Sequence, residues 1–309
     1  MGLALLALAV LASCGRQDGL APTPGGTGPG QDVDVVAPPI ISHASVAAQM
    51  YYARIQQQFL AQGLLRTDGG GADTPYTDRM LAENFIRIAL YDEYARTSAG
   101  PVQRLTSSTL RRWESPVRVG LRFGASVTPD RRATDTAHVA SYLARLSRVT
   151  GRSIRLDDRA PNFWVWMVNE EERAALGPTI SAALPGLSPG ELAGITRMPR
   201  STFCLVYAMS EGNGSVYTRA FAVIRAEHPD LLRLSCLHEE IAQGLGLAND
   251  SPTARPSIFN DDEEFALLTT QDELMLKILY DPALRPGMVE DEARPIVEML
   301  ATRLKGGTS

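Results

Sequence analysis

CLHEEIAQGLGLANDSP, residues 236–252, is the stretch on which the fold turns. The segment around it, HPDLLRLSCLHEEIAQGLGL (228–247), places Leu234, Leu237, Ile241 and Leu245 at helical spacing. Pro229 and Asp230 suit a first turn, and Gly244 and Gly246 suit a stop. Within this helix Glu239 and Gln243 stand four residues apart and share a face, whereas Glu240 points about 100° away. Asn249 and Asp250 follow the glycines. Taken alone, a Glu-Glu-x-x-Gln set reads as the solvated face of a surface helix, with His238 as a surface residue of its N-terminal half.

The sequence ahead of this helix reads as a sheet. PVRVGLRFG (116–124) alternates Val117, Val119, Leu121 and Phe123 against Arg118 and Arg122, the period of a half-buried strand. TDTAHVASYLARLSRVTG (134–151) repeats Val139, Tyr142, Leu143, Leu146 and Val149 at helical spacing and stops at Gly151. SIRLD (153–157) and PNFWVWMVN (161–169) read as further strands, the second buried on both faces. Trp164 and Trp166 share one side of it, as core or groove lining, with carbohydrate stacking a lesser use. STFCLVYAMS (201–210) and SVYTRAFAVIRA (215–226) flank EGNG as a hairpin. Strands interleaved with helices in this order predict an α/β or α+β sheet domain.

Two histidines at i and i+4 on one helix face, with a glutamate after the first, hold Zn²⁺ and activate its water in zinc metallopeptidases. Started at His238, that pattern puts its second ligand on Ala242, which has no lone pair to offer. Started one residue later, it fits every fixed spacing. Glu239 then takes the first ligand position, Glu240 the general base, Gln243 the second ligand, Gly246 the turn glycine and Asn249 the third ligand, with Asp250 adjacent. The segment 239–282 resembles the metzincin core, and the matrixins in particular. PSIF (256–259) stands at the Met-turn, with Phe259 in the methionine position, and LTTQDELMLKILY (268–280) at the closing helix, opened by a Thr269/Asp272 capping box. Over most of its length, including RWESPVRVGL (112–121), the chain resembles the bacterial family called domain of unknown function 2927, a relative of these peptidases without an established activity. The resemblance implies an α+β, zincin-like (metzincin-like) fold, a twisted mixed sheet with an active-site-type helix, in residues 115–305.

The donor chemistry argues against zinc, because a carboxylate and two carboxamides stand where imidazoles are wanted. Calcium or manganese would accept the oxygens of Glu239, Gln243, Asn249 and Asp250. Without a metal to acidify water, Glu240 forfeits most of its use as a base. Two readings stay open. One is a degenerate metallopeptidase-like domain that binds an envelope protein or peptide, or scaffolds, without catalysis. The other is an atypical hydrolase of peptide or peptidoglycan using Glu240, with a non-zinc metal or none. His43, His138 and His228 are far apart in sequence, and no Gly-x-Ser-x-Gly nucleophile motif is present.

At the other end, MGLALLALAVLASCGRQ (1–17) has an apolar run too short to span a bilayer, the build of a secretory signal. LASC (11–14) resembles the lipobox of bacterial lipoproteins, although no Lys or Arg precedes the apolar run. That resemblance makes Cys14 a lipidation site and implies a membrane-anchored protein of the cell envelope, facing the periplasm. Residues 15–39, dense in Gly and Pro, read as a tether. An oxidising compartment permits Cys204 and Cys236 to bridge; two buried thiols are the alternative.

Residues 40–114 read as a helical hairpin packing on the core. HASVAAQMYYARIQQQFLAQGLL (43–65) sets Val46, Met50, Ile55 and Leu60 on one face, and TDRMLAENFIRIALYDEYAR (77–96) sets Leu81, Phe85, Ile88 and Leu90 on another. With 309 residues, 44% hydrophobic and a net charge of −5, the chain can bury a sizeable core. Its scattered Lys and Arg residues form no basic stripe, so nucleic acid is not an expected partner.

Overall fold

The computed structural model describes residues 41–97 and 100–306, without the side chains of 93–97 and 100–105. The signal segment, Cys14 and the tether lie outside the described residues. The described residues form one compact α+β unit.

Its centre is a five-stranded mixed sheet of β3 (Val117–Phe123), β4 (Ile154–Leu156), β5 (Phe163–Val168), β6 (Cys204–Ser210) and β7 (Tyr217–Arg225). The strand order is β4-β3-β5-β7-β6. The first four of these are parallel, and β6 runs antiparallel to β7 at the edge. The two-residue period is realised on both sides. Val119, Phe163, Val165, Ala222 and Ile224 point into the main core. Val168, Phe221, Val223 and the flanking Trp164 and Trp166 point into a second one. Helices α3 (Pro129–Thr150), α7 (Asp230–Gln243) and α8 (Thr270–Leu279) supply the main core with residues such as Leu143, Leu146, Leu237, Ile241 and Leu276. The second core is closed by three short helices, α4 (Glu170–Ala175), α5 (Gly177–Ala183) and α6 (Pro189–Thr196), through Leu176, Ile180 and Ile195. Trp166 stacks on Phe221 at 6.1 Å, and both half-buried tryptophans pack against the second core.

The expected N-terminal helical hairpin is not formed. Helix α1 (His43–Ala61) packs on α4 and α7, while α2 (Asp78–Ala89) packs on α8 and on α9 (Glu290–Gly306). In α1 the buried residues are Ser45, Ala48 and Tyr52, and Val46, Met50 and Leu60 face outward. The reason is that Tyr52 has the better burial site, packed edge-on to Phe203 and His228 with its hydroxyl donating to Arg200 O at 3.0 Å. Helix α2 stops at Ala89 rather than running on to Arg96. The following chain turns back as a hairpin of β1 (Tyr91–Thr97) and β2 (Gly100–Ser107), closed at its base by Ser108 N–H donating to Leu90 O at 2.8 Å. No described helix is long and apolar enough to cross a membrane.

Helix α7 begins at Pro229, which has no side chain to cap it. Gln56 of α1 does this instead, its Oε1 accepting the N–H groups of Leu231 at 3.2 Å and Leu232 at 3.1 Å. Gln56→Ala is therefore expected to lower stability by about 1 kcal/mol, the usual cost of a lost N-cap, read as a shifted urea midpoint. A Gln56→Ala midpoint equal to wild type would show that water replaces the cap at no cost.

Candidate functional site

The surface-helix reading of α7 does not hold, since packing surrounds the helix on almost every side. His238 is buried, stacked on Tyr142 with ring centroids 3.9 Å apart, and its Nδ1 accepts the N–H of Leu268 at 3.2 Å. Burial, with Arg145 adding repulsion, pushes its pKa down to about 3. His228 is likewise enclosed and held well below the ordinary histidine range by burial. Both rings stay neutral in the fold but take protons once it opens. Below about pH 6.5 the unfolded chain gains protons that the folded chain refuses, so stability falls with pH, by up to about 1.4 kcal/mol per unit for each ring. For His238 this continues down toward about pH 3. His238→Asn, which keeps an acceptor for Leu268 N–H, is expected to make stability fall less steeply between pH 6 and pH 5, and an unaltered slope would refute the assignment.

The disulfide alternative is the one realised. Cys204 at the start of β6 and Cys236 in α7 are bonded, with Cα atoms 5.9 Å apart, joining the sheet edge to the helix. Past the helix the chain is turned by two glycines that tolerate no side chain. A Cβ on Gly244 would lie 2.4 Å from the Phe163 ring, and one on Gly246, at φ +130°, would lie 2.3 Å from Arg111 O. Trp113 Nε1 donates to Gly244 O at 2.8 Å, and Tyr280 Oη donates to Leu245 O at 2.9 Å. Arg112 Nη1 donates to Leu279 O at 2.6 Å, at the end of α8. The RWESP stretch thus clamps the glycine turn to the closing helix.

That helix opens with the expected capping box, Thr269 Oγ1 accepting Asp272 N–H at 3.2 Å and Asp272 Oδ2 accepting Thr269 N–H at 2.8 Å. Asp272 also accepts Ser257 Oγ–H at 2.6 Å and Ile258 N–H at 3.1 Å, mooring the loop that carries the buried Phe259.

The ligand-spaced side chains are only partly brought together. Glu239, Gln243 and Asp250 line a common groove, where Gln243 Nε2 donates to Asp250 Oδ1 at 2.9 Å. Asn249 turns the other way. It is 1% exposed, its Nδ2 donates to Arg87 O at 2.8 Å, and its backbone N–H donates to Ile88 O at 3.1 Å, both at the end of α2. Glu240 is buried beside Glu239, and the two carboxylates and Cys204 Sγ lie within 4.8 Å of one another. A sulfur held in a disulfide presents no thiolate to a metal. Carboxamide oxygens are poor donors to zinc, Asn249 is turned to the end of α2 and the sulfur is held by its partner, so this donor set does not fit zinc.

Sequence reasoning missed a second wall of acids. A cavity of about 170 Å³ is lined by Glu239, Asp250, Ile258, Asn260, Asp261 and Glu263. Desolvation and the charges of Asp261 and Asp262 raise Glu263 to about 7. The NDDEE run (260–264) was the available signal, but an acidic run of this kind usually reads as solvated loop.

The larger groove, about 1330 Å³, runs along β6 from the α5–α6 region to the glycine turn. Val206, Ala208, Glu239, Glu240 and Gln243 line it, with Asp92, Thr106 and Arg111 near the base of the β1–β2 hairpin. The outer edge of β6 pairs with no strand among the described residues.

The model of the family described as Protein of unknown function (DUF2927) matches residues 78–299. The chain belongs to this family. No curated protein and no solved structure matches it. In this DUF2927 member the matched region begins at the first residue of α2 and ends within α9, so it takes in the five-stranded sheet, the groove and the glycine turn and leaves α1 outside.

Proposed function

We propose that this DUF2927 protein is an envelope lipoprotein whose zincin-like domain has given up metal catalysis and binds an extended polypeptide along β6. Support for the ancestry comes from the order of parts: a mixed sheet, a buried helix, a glycine turn, the Phe259 loop and a capped closing helix. The observation that carries the non-catalytic reading is the commitment of Asn249 to the end of α2, which removes the third ligand position from the groove. The reading of the groove as a polypeptide site rests on β6, an edge strand whose outer backbone groups face a cleft long enough for several residues. Such an edge takes up an extended chain by strand addition. Attachment to the membrane rests on the LASC stretch and Cys14.

Hydrogen exchange on the purified protein, with and without a set of unfolded envelope-derived peptides, tests the binding reading. Added protection confined to β6 and the lining of the groove is expected. Protection elsewhere, or none, would count against it. Metal analysis of protein prepared without chelator tests the other half, and no stoichiometric ion is expected. An ion lost on Glu239→Ala, or peptide or peptidoglycan hydrolysis lost on Glu240→Gln, would replace this reading with that of an atypical hydrolase using Glu240, with a non-zinc metal in the first case and with or without one in the second.

A further inference from the structure

Half of the large apolar side chains left exposed among the described residues lie on α1 or just ahead of it: Ile41, Val46, Met50 and Leu60. Single exposed apolar residues are ordinary, but these are not scattered. At about 100° per residue, Val46, Met50, Ala53, Gln57, Leu60 and Ala61 fall on one stripe along the helix, and every one of them is exposed. The opposite side, Ala48, Tyr52 and the half-buried Ile55 and Phe59, packs on the rest of the protein. The stripe is therefore turned outward by design of the packing and is free of any described partner.

The charge on this helix is as telling. The chain carries 35 Asp and Glu residues, yet α1 contains none, and its charged side chains are Arg54 and, when protonated, His43. A carboxylate-free helix with an outward apolar stripe suits a lipid surface, where a buried acid would be expelled. Position supports the same occupant. Helix α1 is the first described element after the Gly/Pro-rich stretch that follows Cys14, and that stretch, at about 3.5 Å per residue, reaches no farther than about 90 Å. An anchor at Cys14 would hold α1 at a high local concentration against the bilayer, so that a stripe too weak to bind alone becomes occupied.

We infer that α1 lies on the lipid bilayer through the Val46, Met50 and Leu60 stripe, fixing which way the domain faces, rather than leaving the domain to swing clear on its tether. Because Arg54 is the one permanent cation on the helix, the contact is apolar and needs no anionic lipid. This inference rests on the lipid anchor at Cys14, which co-flotation of the chain with the vesicles checks separately, and is independent of what the groove binds.

The test uses the full chain in phosphatidylcholine vesicles, with a fluorescent amino acid introduced by codon suppression at position 50 or, as a control, at position 299, an equally exposed methionine on α9. Brominated phosphatidylcholine is expected to quench position 50 several-fold more than position 299, with no change on adding salt or phosphatidylglycerol. A Val46→Glu, Leu60→Glu variant should lose that quenching while keeping its melting temperature and its attachment to the vesicles. Equal quenching at the two positions, no quenching at position 50, quenching that appears only with anionic lipid, or self-quenching at position 50 in the absence of lipid, which would mean a second copy, would each overturn the inference.

Discussion

Gly246→Ala is expected to lower stability by about 3–5 kcal/mol, a large part of the 5–15 kcal/mol typical of a folded protein. Two costs add. The backbone at Gly246 sits at φ +130°, where a residue with a Cβ is strained. The added methyl would also meet Arg111 O at 2.3 Å and Leu279 Cδ2 at 3.0 Å. Neither neighbour can yield, because Arg112 beside the first is bonded to the end of α8, and the second is fully buried. Urea unfolding should show the midpoint falling with an unchanged slope. A loss below about 1 kcal/mol would mean that the turn relaxes, and would leave the clamp between RWESP and the closing helix without its main consequence. Gly244→Ala, whose methyl meets the buried Phe163 ring at 2.4 Å but whose backbone is not in the left-handed region, lacks the first of these costs.

The second large effect is expected from the disulfide. Opening it in a Cys204→Ser, Cys236→Ser double variant frees a loop with a sequence separation of 32, which by the chain-entropy account should remove about 3–4 kcal/mol. At the size of this domain each kcal/mol shifts the melting temperature by about 2–4 °C, so a fall of roughly 10 °C is anticipated. The loss should be uneven. Cys204 holds the first residue of an edge strand that is paired on one side only, so β6 should show faster hydrogen exchange than β5, which is paired on both sides. Uniform acceleration across the sheet would argue that the bond stabilises the fold globally and does not tie the groove wall to α7.

Several parts of this arrangement could be read along the chain because their signals are local. The alternation of Val117, Val119 and Leu121 and the apolar run at 163–168 mark strands whatever they pack against. The EGNG stretch between two apolar runs makes β6 and β7 neighbours by loop length alone. Thr269 and Asp272 form their box within a single turn of helix, and Gly244 and Gly246 stop α7 where only glycine fits. Of the run from Glu239 to Asp250, Glu239, Gln243 and Asp250 line one groove and Asn249 does not.

Other features depended on contacts distant in sequence. The 77–96 stretch carries a plausible helical period throughout, yet pairing with Gly100–Ser107 draws its second half into a hairpin. The apolar spacing of α1 named Val46, Met50 and Leu60 as an inward face, but the competition was settled by Phe203 and His228, which enclose Tyr52 instead. A Glu-Glu-x-x-Gln pattern gives no hint that the α5–α6 connection, α6 and the base of the β1–β2 hairpin will line a groove beside it.

By itself the amino-acid order determined where the strands of the five-stranded sheet, the site helix and its glycine stop would lie, since backbone period, capping and φ preference act within a few residues. Only the tertiary structure decided that Asn249 would turn from the groove to Arg87 O and that α1 and α2 would part company. Those outcomes are choices among partners far away in the chain, and they go to whichever arrangement buries the most apolar surface while leaving the fewest polar groups unpaired.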